Sequence, residues 1–421
     1  MTNPVMAVLD RWRGAPLPAE ASTWQRPLPP DHARVARRAL WPLAAIIMAY
    51  TVCVRSLNRG VTDDFTTVFL AVRRMWDGVP VYSENYAHVD PHYLYNPGAT
   101  LILSPLGALT HLDAARAVFI IVNALAIAGA IVWILRMVGI RPGSPVVPAA
   151  LGLAFLTESV VNTLGFSNIN GILLLLMTVF LACLHGDRRL LGGIALGLAI
   201  VIKPLFAPLL FLPLMRGHLS TLAAGIGIPV LSNLLAWPVV PGAADYVRVV
   251  MPYLGETRDY ANASLPGMAL YLGMPSGWEI FWTLLFALLV ALSVILLLRW
   301  RDTDPIMWSF TTSGVLLTGV FFLSSLGQMY YSMLLFPLLA TVFLPRSVAH
   351  TWPFWVGVCL VLAPWSWSTD FSPTFSRWVP VFVATVGWGI IIAAIAAPLG
   401  AWWWQERRAQ TATAGTRRRT A

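Results

Sequence analysis

Apolar runs of bilayer-crossing length follow one another through this chain, and that pattern decides which folds are open to it. They fall at about 39–57, 113–137, 145–162, 168–186, 189–203, 204–216, 219–238, 276–299, 306–325, 328–345, 350–367 and 378–404. About twenty apolar residues in a helix cross the hydrocarbon of a bilayer, where every backbone N–H and C=O must be satisfied internally. Composition agrees, since 57% of the 421 residues are hydrophobic and only 11% charged, against roughly 25% charged in a soluble domain. The sequence predicts an all-α polytopic membrane protein with about 11 to 13 membrane helices. The short runs on either side of Lys203 and Pro204 read as one broken or bent pair.

A net charge of +9 would suit nucleic acid if it formed one polar face. The basic residues instead gather at the ends of apolar runs and in the tails, so membrane lipids are expected partners and nucleic acid is not. Residues 1–38 lack the apolar core of a cleavable signal and end in Arg34, Arg37 and Arg38, which marks a cytoplasmic tail. If the apolar stretch 97–111 is a re-entrant or surface-lying segment, then Arg136, Arg141, Arg188, Arg189, Arg216, Arg299, Arg301, Arg346, Arg407 and Arg408 all fall on the cytoplasmic side. If it crossed, most would flip outward, against the positive-inside tendency. The expected organisation is a basic cytoplasmic tail 1–38, a membrane domain 39–404 with outer loops at about 58–96 and 239–275, and a basic cytoplasmic tail 405–421. Trp402, Trp403 and Trp404 would lie in the inner aromatic belt. Cys53, Cys183 and Cys359 stand singly in apolar segments, which is neither a disulfide framework nor a CxxC site.

The unusual polar residues gather in the outer loops. In loop 58–96, Phe65, Val68, Phe69, Val72 and Trp76 recur at spacings of three and four. This is the signature of an amphipathic helix lying in the membrane interface, with Arg73 and Arg74 turned to water or headgroups. Asp63 and Asp64 immediately precede it. One acid there is a natural N-cap, but a helix has a single N-cap position, so the other carboxylate is left as a candidate general base.

Asp90, His92, Tyr93 and Tyr95 occupy a proline-bounded, non-helical entry to the membrane surface. His92 is either a phosphate donor or a structural imidazole, with Asp90 as its orienting partner. Lys203 interrupts an apolar run; it either snorkels outward or, as an intramembrane cation at a helix end, holds a lipid-linked phosphate. Arg258 offers a bidentate alternative, with Asp259 as its salt partner. Asn168 and Asn170 flank an outer turn, where Asn170 is equally a helix-start residue. Gln328, Tyr330 and Tyr331 begin a span, where an aromatic belt expects tyrosines whatever the function. Asn262-Ala263-Ser264 is a glycosylation-like triplet too short to carry weight. No Gly-rich phosphate loop, HExxH motif or Cys/His cluster with metal spacing occurs. No cofactor is firmly implied; a divalent cation is compatible with the acids but demanded by no spacing.

These residues carry a resemblance. Val61-Thr62-Asp63-Asp64-Phe65, Val89-Asp90-Pro91-His92-Tyr93-Leu94-Tyr95 with Pro97-Gly98, Asn162-Thr163-Leu164 with Asn168-Ile169-Asn170-Gly171, Lys203-Pro204, Thr257-Arg258-Asp259-Tyr260 and Gln328 with Tyr330-Tyr331-Ser332-Met333 resemble the polyprenyl-phosphate-dependent glycosyltransferases of family 87. Within that family they look like the branching α-(1→3)-arabinofuranosyltransferases of actinobacteria. The resemblance runs from about residue 40 to residue 400 and implies a GT-C architecture. It further implies decaprenylphosphoryl-arabinofuranose as donor and the arabinan of arabinogalactan and lipoarabinomannan as acceptor. It also implies a multi-pass protein of the plasma (inner) membrane with its active site on the extracytoplasmic face. Asn96 stands where the family usually has proline, which predicts a looser local turn. The family's acid, followed by Phe or Leu and later by Gly and Tyr, is matched by Asp64-Phe65 with Gly78 and Tyr82. That register favours Asp64 as the base over Asp63, the second catalytic candidate, which otherwise serves as a cap or supporting acid.

The resemblance supplies a β-linked donor and an α-linked product, which agrees with a single inverting displacement driven by one base. On this reading Lys203, Arg258 and His92 meet the donor phosphate. Asp90, Tyr93, Tyr95, Asn168, Asn170, Asp259, Gln328, Tyr330 and Tyr331 bind the substrates. A polyprenylphosphomannose-dependent mannosyltransferase is the sibling alternative, and a lipid or sugar transporter the non-enzyme one. The chain shows no matched pair of broken segments in two halves, which argues against a transporter.

Overall fold

A computed structural model describes Gly14 and residues 28–58, 64–86, 92–364 and 373–419. Among the described residues all regular structure is helical. In chain order the main helices are α1 (Pro30–Ala49, continued as a π-turn to Ser56), α2 (Asp64–Trp76), α3 (Pro97–Leu103), α4 (Leu112–Met137), α5 (Val146–Leu156), α6 (Glu158–Gly165), α7 (Asn170–Leu184) and α8 (Arg189–Ile202). There follow α9 (Pro204–Arg216), α10 (Leu219–Ala236), α11 (Leu265–Leu272), α12 (Ser276–Leu297), α13 (Pro305–Leu323), α14 (Met329–Phe343), α15 (Trp352–Leu362) and α16 (Pro373–Arg419). Six of the described helices are long and apolar enough to cross a membrane, and α5 with α6, bent by 62°, makes a seventh. Five shorter apolar helices accompany them. The chain is therefore an all-α, multi-pass membrane protein.

Burial separates the lipid-facing helices from the central ones. In the most apolar windows of α1 and α10 only 17% of residues are buried, against 78% in α13. Trp308, Phe310 and Phe321 of α13 are fully buried, so α13 is one of the central helices. The α5–α6 bend lies at Thr157, whose extended backbone ends α5 and whose hydroxyl accepts from the Val160 N–H as the cap of α6.

The bundle has two distinct ends. At one, the Arg37 guanidinium donates to the Gly143 carbonyl, Arg216 donates to the Arg301 carbonyl, and Arg299 pairs with Glu406. The Gly14 N–H also reaches the Arg299 carbonyl there, at 2.8 Å. Both basic segments continue as helix, because α1 begins at Pro30, ahead of residue 39, and α16 runs past residue 404 to Arg419.

The other end holds α2, α3 and the breaks α6–α7 and α8–α9. Stretch 97–111 forms only α3 and a tight turn, Ser104–Ala108. Seven helical residues reach about 10 Å, far short of the roughly 30 Å hydrocarbon thickness. The amphipathic helix α2 buries Phe65, Val68, Phe69, Ala71 and Val72. Two local expectations are corrected here. Arg73 and Arg74 do not turn free to water: Arg73 donates to the Gly107 carbonyl, and Arg74 to the Val81 carbonyl and Glu84. Nor is the turn at Asn96 loose, for its side-chain oxygen caps α3 at the Ala99 N–H while its amide donates to the Val201 carbonyl at 2.6 Å. A proline could do neither.

Candidate active site

Four local devices bring the polar residues together. The Asp64 N–H donates to the Phe166 carbonyl, tying the start of α2 to the end of α6. The turn between α6 and α7 passes through Ser167 at φ +52° and presents Asn168. Pro204 forces the preceding residue out of the helical region, and Lys203 is accordingly extended (φ −134°, ψ 107°), ending α8. Gln328 is likewise extended and starts α14, carrying Tyr330 and Tyr331.

The result is a chain of charge across one amide. Asn168 donates from Nδ2 to Asp64 Oδ2 at 2.5 Å and accepts at Oδ1 from Lys203 Nζ at 3.0 Å. The ammonium also donates to Asn170 Oδ1 at 2.8 Å and lies 4.9 Å from the centre of the Tyr331 ring. The amide orientation of Asn168 is set by its neighbours, because only its NH₂ can serve the carboxylate and only its oxygen can serve the ammonium. Tyr330 adds a second donor to Asp64 Oδ2 at 3.1 Å. Lys203 thus turns inward rather than snorkelling, and the Asp64 side chain serves these distant partners rather than its own helix end.

Asp64, Asn168, Lys203, Tyr330, Tyr331, Gln328, Arg258, His92 and Tyr95 all line one cavity of about 430 Å³. Tyr246, Leu254, Ser324 and Ser325 complete much of its wall. Burial, and then the negative charge of Asp64, push the Tyr95 phenol well above its ordinary range, so it stays a neutral hydroxyl.

Several expected roles are placed differently. Asp63 and Asp90 lie outside the described residues. Among the described residues, Glu84 lies 3.6 Å from His92 Nδ1, and it also takes Arg74 and the Tyr93 N–H. No ion pair joins Arg258 to Asp259 among the described residues. The guanidinium lies over the Tyr253 and Tyr260 rings and donates to the Tyr253 hydroxyl at 3.3 Å. Asp259 does not line the cavity. Tyr93 does not either: it is fully buried, stacked on Tyr82, with its hydroxyl 2.8 Å from that of Thr100. Asn170 acts behind Lys203 rather than on the cavity wall. Glu84 and Tyr253 were not singled out for the site by the sequence; neither has a local signal, since each works through residues that only folding brings near. Among the described residues no three His, Cys, Asp or Glu side chains could share a metal ion.

A carboxylate and two cations thus line one cavity of a multi-pass membrane protein. The model of glycosyltransferase family 87 matches residues 93–325. The chain is 54% identical over 358 residues to an α-(1→3)-arabinofuranosyltransferase of Corynebacterium glutamicum, covering 85% of this chain and 86% of that one. It is 42% identical to the enzyme of the same name from Mycolicibacterium smegmatis, over 87% and 86% of the two chains. The Mycobacterium tuberculosis counterpart is 40% identical, over 86% and 84%. This chain belongs to glycosyltransferase family 87.

Proposed function

We propose that this glycosyltransferase moves arabinofuranose, with inversion, from decaprenylphosphoryl-arabinofuranose to an arabinan acceptor. The product would be the α-(1→3) branches of arabinogalactan and lipoarabinomannan, made at the extracytoplasmic face of the plasma membrane. The observation that carries the reading is the Asp64–Asn168–Lys203 chain in a cavity that also contains Arg258.

Charge is the reason. One carboxylate and two cations leave the cavity one positive charge in excess, which the single negative charge of a lipid phosphodiester neutralises. In the reaction the acceptor oxygen bonds to the sugar C1, the bond from C1 to the phosphate oxygen breaks, and the hydroxyl proton passes to Asp64. The freed phosphate gains nearly a second negative charge as Asp64 becomes neutral, so the site stays balanced at both ends of the step. Lys203 and Arg258 stabilise the charge that develops on the leaving group. His92, on the cavity wall beside Glu84, is placed to add a further donor. Gln328, Tyr95 and Tyr330 supply hydrogen-bonding groups for sugar hydroxyls, and the isoprenoid remains in the membrane between helices.

The relatives' names favour arabinose over mannose. Purified protein incubated with labelled decaprenylphosphoryl-arabinofuranose and a synthetic arabinofuranoside should form an α-(1→3) linkage. Transfer only from polyprenylphosphomannose would instead make it the sibling mannosyltransferase. Movement of donor across vesicles without any elongation would make it a transporter.

A further inference from the structure

A second, much smaller cavity of about 10 Å³ also touches Asp64. Its wall is largely apolar, with Phe65, Val68 and Phe119, and the polar side chains lining it include Asp64, Ser167 and Asn168. The volume is about that of one water, and a buried water is stable where two to four polar groups meet it.

Ser167 is unusual in two independent ways. Its backbone is left-handed, at φ +52°, a conformation that costs any residue with a Cβ. Its hydroxyl is buried, with the residue 2% exposed, and has no hydrogen-bond partner among the described residues. An unmade hydrogen bond on a buried hydroxyl is itself destabilising. Alanine would remove the second cost and glycine both, so packing alone gives no reason for a serine beside the candidate base.

We infer that Ser167 is a positioning residue: through one water held in this cavity, its hydroxyl hydrogen-bonds the Asp64 carboxylate and helps to fix it for proton abstraction. The inference rests on the reading of Asp64 as the base. Asn168 from the α6–α7 turn and Tyr330 from α14 hold one oxygen of that carboxylate, and the water adds a third restraint, from Ser167 in the same turn. Lys203, Tyr95 and Tyr331 are the other ionisable groups whose charge acts on or feels Asp64.

The test compares Ser167→Ala and Ser167→Gly with the unchanged protein, using the labelled arabinofuranosyl donor and synthetic acceptor. Steady-state kinetics are taken across the active pH range, together with melting temperature, and Asp64→Asn serves as control. Both variants should lose about tenfold in kcat with little change in either KM. The acid limb of the profile should move to higher pH, because the charged carboxylate loses a donor. If both keep full kcat and an unmoved acid limb while melting at higher temperature, Ser167 is only an orphaned hydroxyl and the inference falls. Loss in Ser167→Ala alone would assign the effect to backbone conformation and also overturn it. Full turnover in Asp64→Asn would instead remove the reading of the base beneath it.

Discussion

The arginine-rich end of the helix bundle and the cavity at its other end bury charge in opposite ways. At the arginine-rich end cations meet acids directly: Glu406 pairs with Arg299, with Arg346 3.6 Å away, and Arg301 grips Asp302 at 2.7 Å. At the cavity end Asp64 and Lys203 are kept apart by the Asn168 amide. A direct pair satisfies itself and leaves little field for anything else. A pair held one amide apart stays in register but keeps both charges available to a ligand. The first arrangement locks helices together, and the second can carry chemistry.

The sharpest way to break this contrast is at Asp64. Replacing it with Asn should lower turnover by about 10³-fold, within the range of general-base catalysis, while donor binding to the purified protein changes little. Undiminished turnover, accompanied by loss in Asp63→Asn, would move the role by one residue. At the opposite end, Glu406→Gln should cost about 3 kcal/mol of stability, because it leaves Arg299 buried without its acid. Thermal unfolding in detergent would show the loss, and activity per folded molecule should be unchanged. A fall in kcat there would mean that the two ends are coupled.

Lys203→Met should reduce kcat by about 10²-fold, through lost stabilisation of the leaving phosphate. Unaltered kinetics in that variant would leave Arg258 as the principal phosphate ligand. The smallest effect is one of pH at the arginine-rich end. Burial first, then Arg189 and Arg216, hold the His218 imidazole below its usual 6.5. A group with a depressed folded-state value contributes fully above its unfolded value, and its contribution is lost as pH falls below that value. The melting temperature should therefore decline on acidification below about pH 6.5. The decline should be shallower in His218→Asn, a residue well tolerated at the N-cap position that His218 occupies; identical slopes would exclude His218 as a cause.

Much of this architecture was legible because its causes are local. Apolar runs had to become helices, and Pro204 had to end α8 at Lys203. The three-and-four spacing of Phe65, Val68, Phe69 and Val72 had to yield an amphipathic helix. Failures came where a partner was guessed from sequence proximity. Arg258 was assigned its neighbour Asp259, yet its guanidinium lies over Tyr253 and Tyr260. Tyr93 had the residue type of a sugar ligand and proved to be core.

The amino-acid order alone determined that this chain lives in a bilayer, where its helices break, and which few polar side chains lack an obvious reason to be there. Hydrocarbon imposes those demands on each segment separately, so they can be read one segment at a time. Which polar group faces which was decided only by tertiary structure. Asn168 meets Asp64 across 104 positions of chain, and Tyr330 meets it across 266. Hydrogen bonds act over about 3 Å, and no spacing along the chain encodes approaches of that kind.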